Sequence, residues 1–350
     1  MRITGVGSAH PSHVYDQRTL TAFLEELWSS RPEVCRRLAA LHANLAVEQR
    51  ALAMPLEDYR DPSTFGQRND AWIAAALEIG ERAVRAALDR AGLVPSDVDA
   101  IISSTVTGVA SPSIDARLVA RLGLRPDVKR VPMFGLGCVA GAAAVSRAAD
   151  YVRGRPGHVA VVLTVEICSL TLQRGDHSVA NLISAGLFGD GAAAAVVVGD
   201  ERAEGHGPRV VDTRSCFYPE TEDAMGWHVS EEGFRIVLSP AVPAIARELV
   251  CGDVDAFLAA HGLERAAIEH WVCHPGGPKV LAALREGLGL AEEDLALAWR
   301  SLSRMGNLSS ASVLSILEDT IEERAPREGS LGVMLAMGPG FCSELLLLRW

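Results

Sequence analysis

The order of events between residues 69 and 199 recurs between residues 243 and 348. "NDAWIAAALEIGERAVRAALDRAGL" (69–93) carries apolar residues at helical spacing up to Gly92, and "VDAIISSTVTG" (98–108) follows as a strand running into a glycine loop. A nearly all-round apolar helix at 137–154 is then followed by strands at 158–166 and 189–199. In the second copy, 243–277 again reads helix, Gly-Leu, short acidic turn, strand and glycine loop. "GNLSSASVLSILEDTIEE" (306–323) stands for the apolar helix, and 331–340 and 344–348 for the closing strands. Two loops keep one offset of 169 residues, Gly108 to Gly277 and Cys138 to Asn307. A duplication restricts the architecture severely, because each copy is a single unit of helices on strands and the copies must pack on each other. The expectation is an α/β protein of two similar halves, residues 1–200 and 201–350, divided in the polar, glycine-rich "GDERAEGHGPRV" (199–210). The competing view is that any two strand–helix units look alike at this level.

Composition narrows the partners. With 33 basic against 44 acidic residues and no dense Lys/Arg cluster, nucleic acid is not expected as a ligand. Seven scattered cysteines, never spaced C-x-x-C, indicate neither a disulfide framework nor a zinc site and suit a reducing cytoplasm. The first residues lack an apolar signal region and no run is long enough for a membrane span.

If the halves are related by a pseudo-twofold, the two apolar helices pair at the centre. Their N-termini, carrying Cys138 and Asn307, then face one cavity together with His274 of "HPGG". Singly, each residue has an ordinary explanation: a buried small hydrophobe, a loop histidine, a helix N-cap. Together they compose a reaction site. A helix N-terminus and a neighbouring imidazolium favour an anion, so the Cys138 pKa is expected to fall and expose a thiolate. His274 and Asn307 are donors fit to hold an oxyanion, while Gly135, Gly137 and Gly141 allow close approach. The phosphate-cradle alternative for "GLGCVAG" fails on spacing, since it reads G-x-G-x-x-x-G and no Lys-Ser/Thr pair follows.

"FGLGCVAGAAAVSRAADYVRG", "NLISAGLFGDGAAAAVVVG", "HPGGPKVL", "GNLSSASVLSIL" and "MGPGFCSE" together resemble the type III polyketide synthases, the chalcone-synthase-like branch of the thiolase superfamily. The resemblance spans nearly the whole chain. It implies a five-layered αβαβα thiolase-like fold, a homodimer, and iterative decarboxylative condensation of malonyl-CoA onto an acyl-CoA starter, closing to a pyrone or resorcinol-type product. Cys138 falls on the family's nucleophile, His274 on its histidine and Asn307 on its asparagine. No metal or redox cofactor is implied, since decarboxylation drives the condensation.

Phe188 matches a gatekeeping phenylalanine between CoA tunnel and cavity; the second gatekeeper of the plant enzymes is replaced by Ile236, and Trp227 stands where they have glycine. Thr171 and Cys168 fall at pocket-lining positions, Met337 replaces a phenylalanine, and Arg36 is the candidate CoA-phosphate contact. Cys342 lacks the glycine context of a second catalytic cysteine. Val106 stands where tetrahydroxynaphthalene synthases have cysteine, which inclines the expectation to an alkylpyrone or alkylresorcinol synthase of bacterial type. Two other readings stay open: a condensing enzyme like 3-oxoacyl-(acyl carrier protein) synthase III, separated by its need for carrier protein, and a catalytically silent acyl-binding subunit, separated by an inert Cys138.

Overall fold

The computed structural model describes residues 1–61 and 63–350. The first half contains β1 (Arg2–Ala9), β2 (His13–Asp16), α1 (Gln17–Leu27), α2 (Pro32–His42) and β3 (Gln49–Leu52). It continues through α3 (Phe65–Arg90), β4 (Ala100–Thr105), α4 (Ile114–Leu122), β5 (Lys129–Phe134), α5 (Ala140–Arg153), β6 (Val159–Ile167), α6 (Val179–Leu187) and β7 (Asp190–Val198). The second half contains β8 (Arg209–Phe217), β9 (Met225–Ser230), β10 (Gly233–Leu238), α7 (Val242–Ile245) and α8 (Cys251–Ala259). It closes with β11 (His270–Cys273), α9 (Pro278–Leu288), α10 (Ala296–Met305), α11 (Ser312–Asp319), β12 (Leu331–Gly338) and β13 (Cys342–Arg349).

The expected duplication is visible in the strand order β11-β12-β13-β8-β1-β7-β6-β4-β5. Reading outward from the middle, β8 corresponds to β1, β13 to β7, β12 to β6 and β11 to β4; only β5 has no counterpart. The pairing senses agree too: β4 with β6 and β11 with β12 are parallel, whereas β6 with β7 and β12 with β13 are antiparallel. The halves meet where Arg2 on β1 pairs Arg209 on β8.

Helix α3 starts at Thr64, whose hydroxyl accepts from the Gln67 N–H while the Gln67 side chain accepts from the Thr64 N–H, a reciprocal cap for two orphan donors. Its buried stripe, Trp72, Ala76, Ile79, Ala83 and Ala87, follows the helical period and lies on β1, β6 and β7. On the other face sit α5 and α11. Helix α5 touches strands of both halves, as α11 does, so these two form the middle layer. Ten residues of α5 are buried, which explains its Ala-rich sequence: small side chains are the ones that fit between the two halves of the sheet. A Cβ on Gly141 would stand 2.3 Å from the Ser310 carbonyl oxygen, so glycine sets how closely the middle helices meet. Helix α8 covers the far side of β8, with Arg214 over the Phe257 ring. Helix, sheet, helix, sheet, helix is the five-layered order expected. Strands β6 and β7 are buried along their whole length because helices cover both faces, which is why they read as continuous apolar runs. Among the described residues no helix is long and apolar enough to cross a membrane.

Candidate active site

Cys138 lies in a single 3-10 turn, Gly137–Val139, that leads directly into α5. The turn is reached through Gly137 at φ 55°, and a Cβ there would stand 2.7 Å from the Pro339 ring in the loop between β12 and β13. First and second halves are therefore in contact beside Cys138 itself. The Cys138 sulfur is buried and lies 3.5 Å from the Ser309 hydroxyl.

Asn307 occupies the matching place in the second half, ahead of a 3-10 turn, Ser309–Ala311, and α11. Its N–H donates to the Leu187 carbonyl (2.8 Å), its carbonyl accepts from the Gly189 N–H (3.0 Å), and it bridges Phe188 as a short strand contact. Its side-chain Oδ1 accepts from the Ser309 N–H at 2.7 Å. With that oxygen engaged, the NH₂ is the free end of the amide and a donor.

His274 follows β11, its N–H donating to the Leu335 carbonyl of β12 at 2.8 Å. The residue is 2% exposed, yet among the described residues neither ring nitrogen has a hydrogen-bond partner. Buried polar atoms without partners are uncommon, and here both nitrogens of one ring are left available to a ligand. The glycine loop after His274 approaches the same segment that holds Asn307: a Cβ on Gly277 would stand 3.6 Å from the Leu187 side chain.

The expected lowering of the Cys138 pKa is corrected by its surroundings. Burial pushes the thiol up to about 12, against the opposing hydrogen bonds of Ser309 and Asn307, and the Glu166 carboxylate pushes the same way as burial. Burial alone takes His274 down to about 3. Desolvation in a closed chamber outweighs the field of one short turn. Burial therefore favours the uncharged forms of both side chains, a thiol at Cys138 and a neutral imidazole at His274.

Glu166, fully buried at the end of β6, accepts from the hydroxyls of Ser310 (2.5 Å) and Thr107 (2.9 Å) and from the Val106 N–H (3.1 Å). It ties the strand carrying "VEICSLTL" to the turn carrying "NLSS".

A narrow cavity of ≈ 50 Å³ is lined by Cys168, Thr171, Phe188, Trp227 and Ile236, so five of the sequence-chosen pocket residues share one wall. Trp227 and Ile236 are cross-strand partners on β9 and β10. The Thr171 hydroxyl donates to the Cys168 carbonyl at 2.8 Å, which closes that corner. Met337 pairs Ser343 inside the core, 3% exposed, on a strand buried on both faces, and is not among the residues lining this cavity. Arg36 lies on the exposed face of α2, opposite the buried stripe Val34, Leu38 and His42, with no ion pair among the described residues. Sequence reasoning missed Ser309, Glu166, and the α1 and Arg50 side of the cavity. The first two lie inside motifs already singled out, whereas Arg50 is brought in by folding alone.

The models of the chalcone and stilbene synthases match the chain as an N-terminal domain over residues 2–201 and a C-terminal domain over residues 209–350. A 1,3,6,8-tetrahydroxynaphthalene synthase of Streptomyces peucetius subsp. caesius is 49% identical over 99% of this chain and 93% of its own length. The crystal structure of the tetrahydroxynaphthalene synthase of Streptomyces coelicolor A3(2), described as a bacterial type III polyketide synthase, superposes with a TM-score of 0.91 at 30% identity, covering 100% of this chain and 99% of that one. The polyketide synthase PKS-I of the brown alga Ectocarpus siliculosus gives a TM-score of 0.93 at 26% identity, covering 99% and 97%. With both halves matched and the likeness running end to end, this protein belongs to the chalcone and stilbene synthase family, the type III polyketide synthases.

Proposed function

We propose that the chain condenses malonyl-CoA onto a short acyl-CoA starter held as a thioester on Cys138. The observation that carries this is a set of three buried groups: a sulfur and an amide whose oxygen is already engaged, at matched turns of the two halves, and after β11 an imidazole with no partner for either nitrogen among the described residues. His274 takes the thiol proton; the thiolate attacks the thioester carbon, and the CoA sulfur leaves with that proton. Malonyl-CoA then loses carbon dioxide, donors from His274 and Asn307 hold the enolate oxygen, and its carbon attacks the Cys138 thioester, releasing the sulfur for the next round.

Val106 inclines the starter toward a fatty acyl group. Two observations incline it the other way. The cavity is narrow and Trp227 fills part of its wall. The related synthases are named for a tetrahydroxynaphthalene, whose oxygens on alternate carbons are the pattern left by head-to-tail two-carbon units with no alkyl starter. A polyhydroxylated aromatic product fits both. Arg36 stays a proposed contact for the CoA phosphates. A homodimer is supported by β5, which ends the sheet and exposes Val131 (44%) and Phe134 (55%).

The test is incubation with malonyl-CoA in the absence of carrier protein, followed by mass spectrometry. Aromatic polyketide with release of CoA supports the proposal. Turnover only with carrier-protein thioesters would move the chain to the other condensing chemistry.

A further inference from the structure

Ser309 is one of four non-glycine residues at positive φ among the described residues, at 50°, and it is buried at the reacting sulfur. A side chain in that conformation is strained and persists only where its surroundings impose it. Here consecutive residues are pinned. The Ser309 N–H donates to the Asn307 side chain at 2.7 Å, the Leu308 N–H donates to the Ser312 hydroxyl at 2.8 Å, and the Ser310 hydroxyl donates to Glu166 at 2.5 Å. The outcome of these constraints is a single one: the Ser309 hydroxyl points at the Cys138 sulfur, 3.5 Å away, and has no other partner among the described residues.

We infer that Ser309 is a further catalytic residue, whose hydroxyl donates a hydrogen bond to the Cys138 sulfur whenever that sulfur carries negative charge. In the resting thiol the S–H donates to Ser309. Once the proton passes to His274, the serine hydroxyl turns and donates in the opposite sense, since its hydrogen rotates freely. Charge appears on the sulfur twice per cycle, before it attacks the acyl-CoA and again when the enolate carbon displaces it. One donor serves both steps, and no bond to Ser309 is made or broken. The titratable groups whose charge acts on the sulfur are Glu166 at the end of β6 and Cys168 beyond it. Glu166 opposes charge on the sulfur, and its own carboxylate is saturated by Ser310, Thr107 and Val106. Neutral donors offset that carboxylate, and Ser309 is the larger of the two side-chain contributions, ahead of Asn307. The inference rests on Cys138 being the nucleophile.

The experiment is the pH dependence of Cys138 carbamidomethylation by iodoacetamide, read by peptide mass spectrometry, in the wild type, Ser309→Gly and Ser309→Ala. Glycine suits the positive φ and removes the hydroxyl without added strain; alanine removes it and keeps the strain. Both variants are expected to shift the profile up by about one pH unit, so that labelling below the midpoint slows about tenfold. Ser309→Gly should keep the wild-type melting temperature. An unmoved profile in Ser309→Gly, with the wild type labelling normally, overturns the role of Ser309 and leaves the nucleophile standing. A shift in Ser309→Ala alone would assign the effect to backbone strain and also overturns it. A wild-type Cys138 that resists labelling at every pH while the fold is intact removes the nucleophile itself.

Discussion

Cys138 and Asn307 each follow a glycine held at positive φ, Gly137 at 55° and Gly306 at 69°, so the two halves present different chemistry from the same kind of turn. Duplication supplied one scaffold twice. In the function proposed, its copies carry a nucleophile on one side and an oxyanion donor on the other, with His274 added just after β11.

That division of labour separates the steps. Asn307→Ala is expected to leave transfer of an acyl group to Cys138 intact while slowing decarboxylation of malonyl-CoA by roughly 10²–10³, the usual cost of losing one oxyanion donor. Single-turnover acylation and carbon dioxide release, measured on the same preparation, check this. Equal loss in both would make the asparagine a structural residue.

Trp227 faces Ile236 across the β9–β10 pair and narrows the cavity. Trp227→Gly should therefore raise kcat/KM for longer acyl-CoA starters relative to short ones, by about tenfold or more, since each buried methylene is worth roughly 1–3 kcal/mol in a fitted pocket. A starter ladder resolved by product mass would show it, and an unchanged ratio would place the starter site elsewhere.

Gly141 meets the Ser310 carbonyl where the middle helices cross. Gly141→Ala forces backbone apart in a packed centre and is expected to cost roughly 1–3 kcal/mol of stability. It should also lower activity, because Ser310 is next to Ser309 and tied to Glu166. Urea denaturation and turnover together test it; a variant as stable and active as wild type would show that the helices can separate freely.

His42 is buried between the Thr21 hydroxyl (2.8 Å) and the Leu182 carbonyl (3.0 Å), and burial takes its pKa down to about 4. The unfolded chain binds that proton near pH 6.5, so this contribution to stability is complete above pH 6.5 and is lost as pH falls toward about 4. Between pH 7 and pH 5 the wild type should lose roughly 2 kcal/mol more than His42→Gln. Chemical denaturation of both proteins at the two pH values measures the difference, and parallel losses would contradict it.

Much of this was legible in the sequence because it is carried by local pattern. The apolar runs of β6 and β7, the helical period of α3 and the shared offset of Cys138 and Asn307 all follow from burial and duplication. The cavity wall of Phe188, Thr171, Cys168, Trp227 and Ile236 came through motifs at family spacing. What escaped was what depends on packing in three dimensions. The strand pattern of β12 reads the same whether Met337 faces a pocket or the core. The charge state of Cys138 depends on how thoroughly water is excluded, which no spacing records. Arg50 reaches the cavity from a strand over a hundred residues away in sequence from Phe188, whose carbonyl it holds at 2.6 Å.

The central claim is that the sulfur of Cys138 carries the growing acyl chain. Intact-protein and peptide mass spectrometry after brief mixing with an acyl-CoA starter tests it most directly. The mass of the acyl group is expected on the peptide containing Cys138, absent from Cys138→Ala and chased by malonyl-CoA. Acyl mass on any other residue, or its persistence in Cys138→Ala, would contradict the claim.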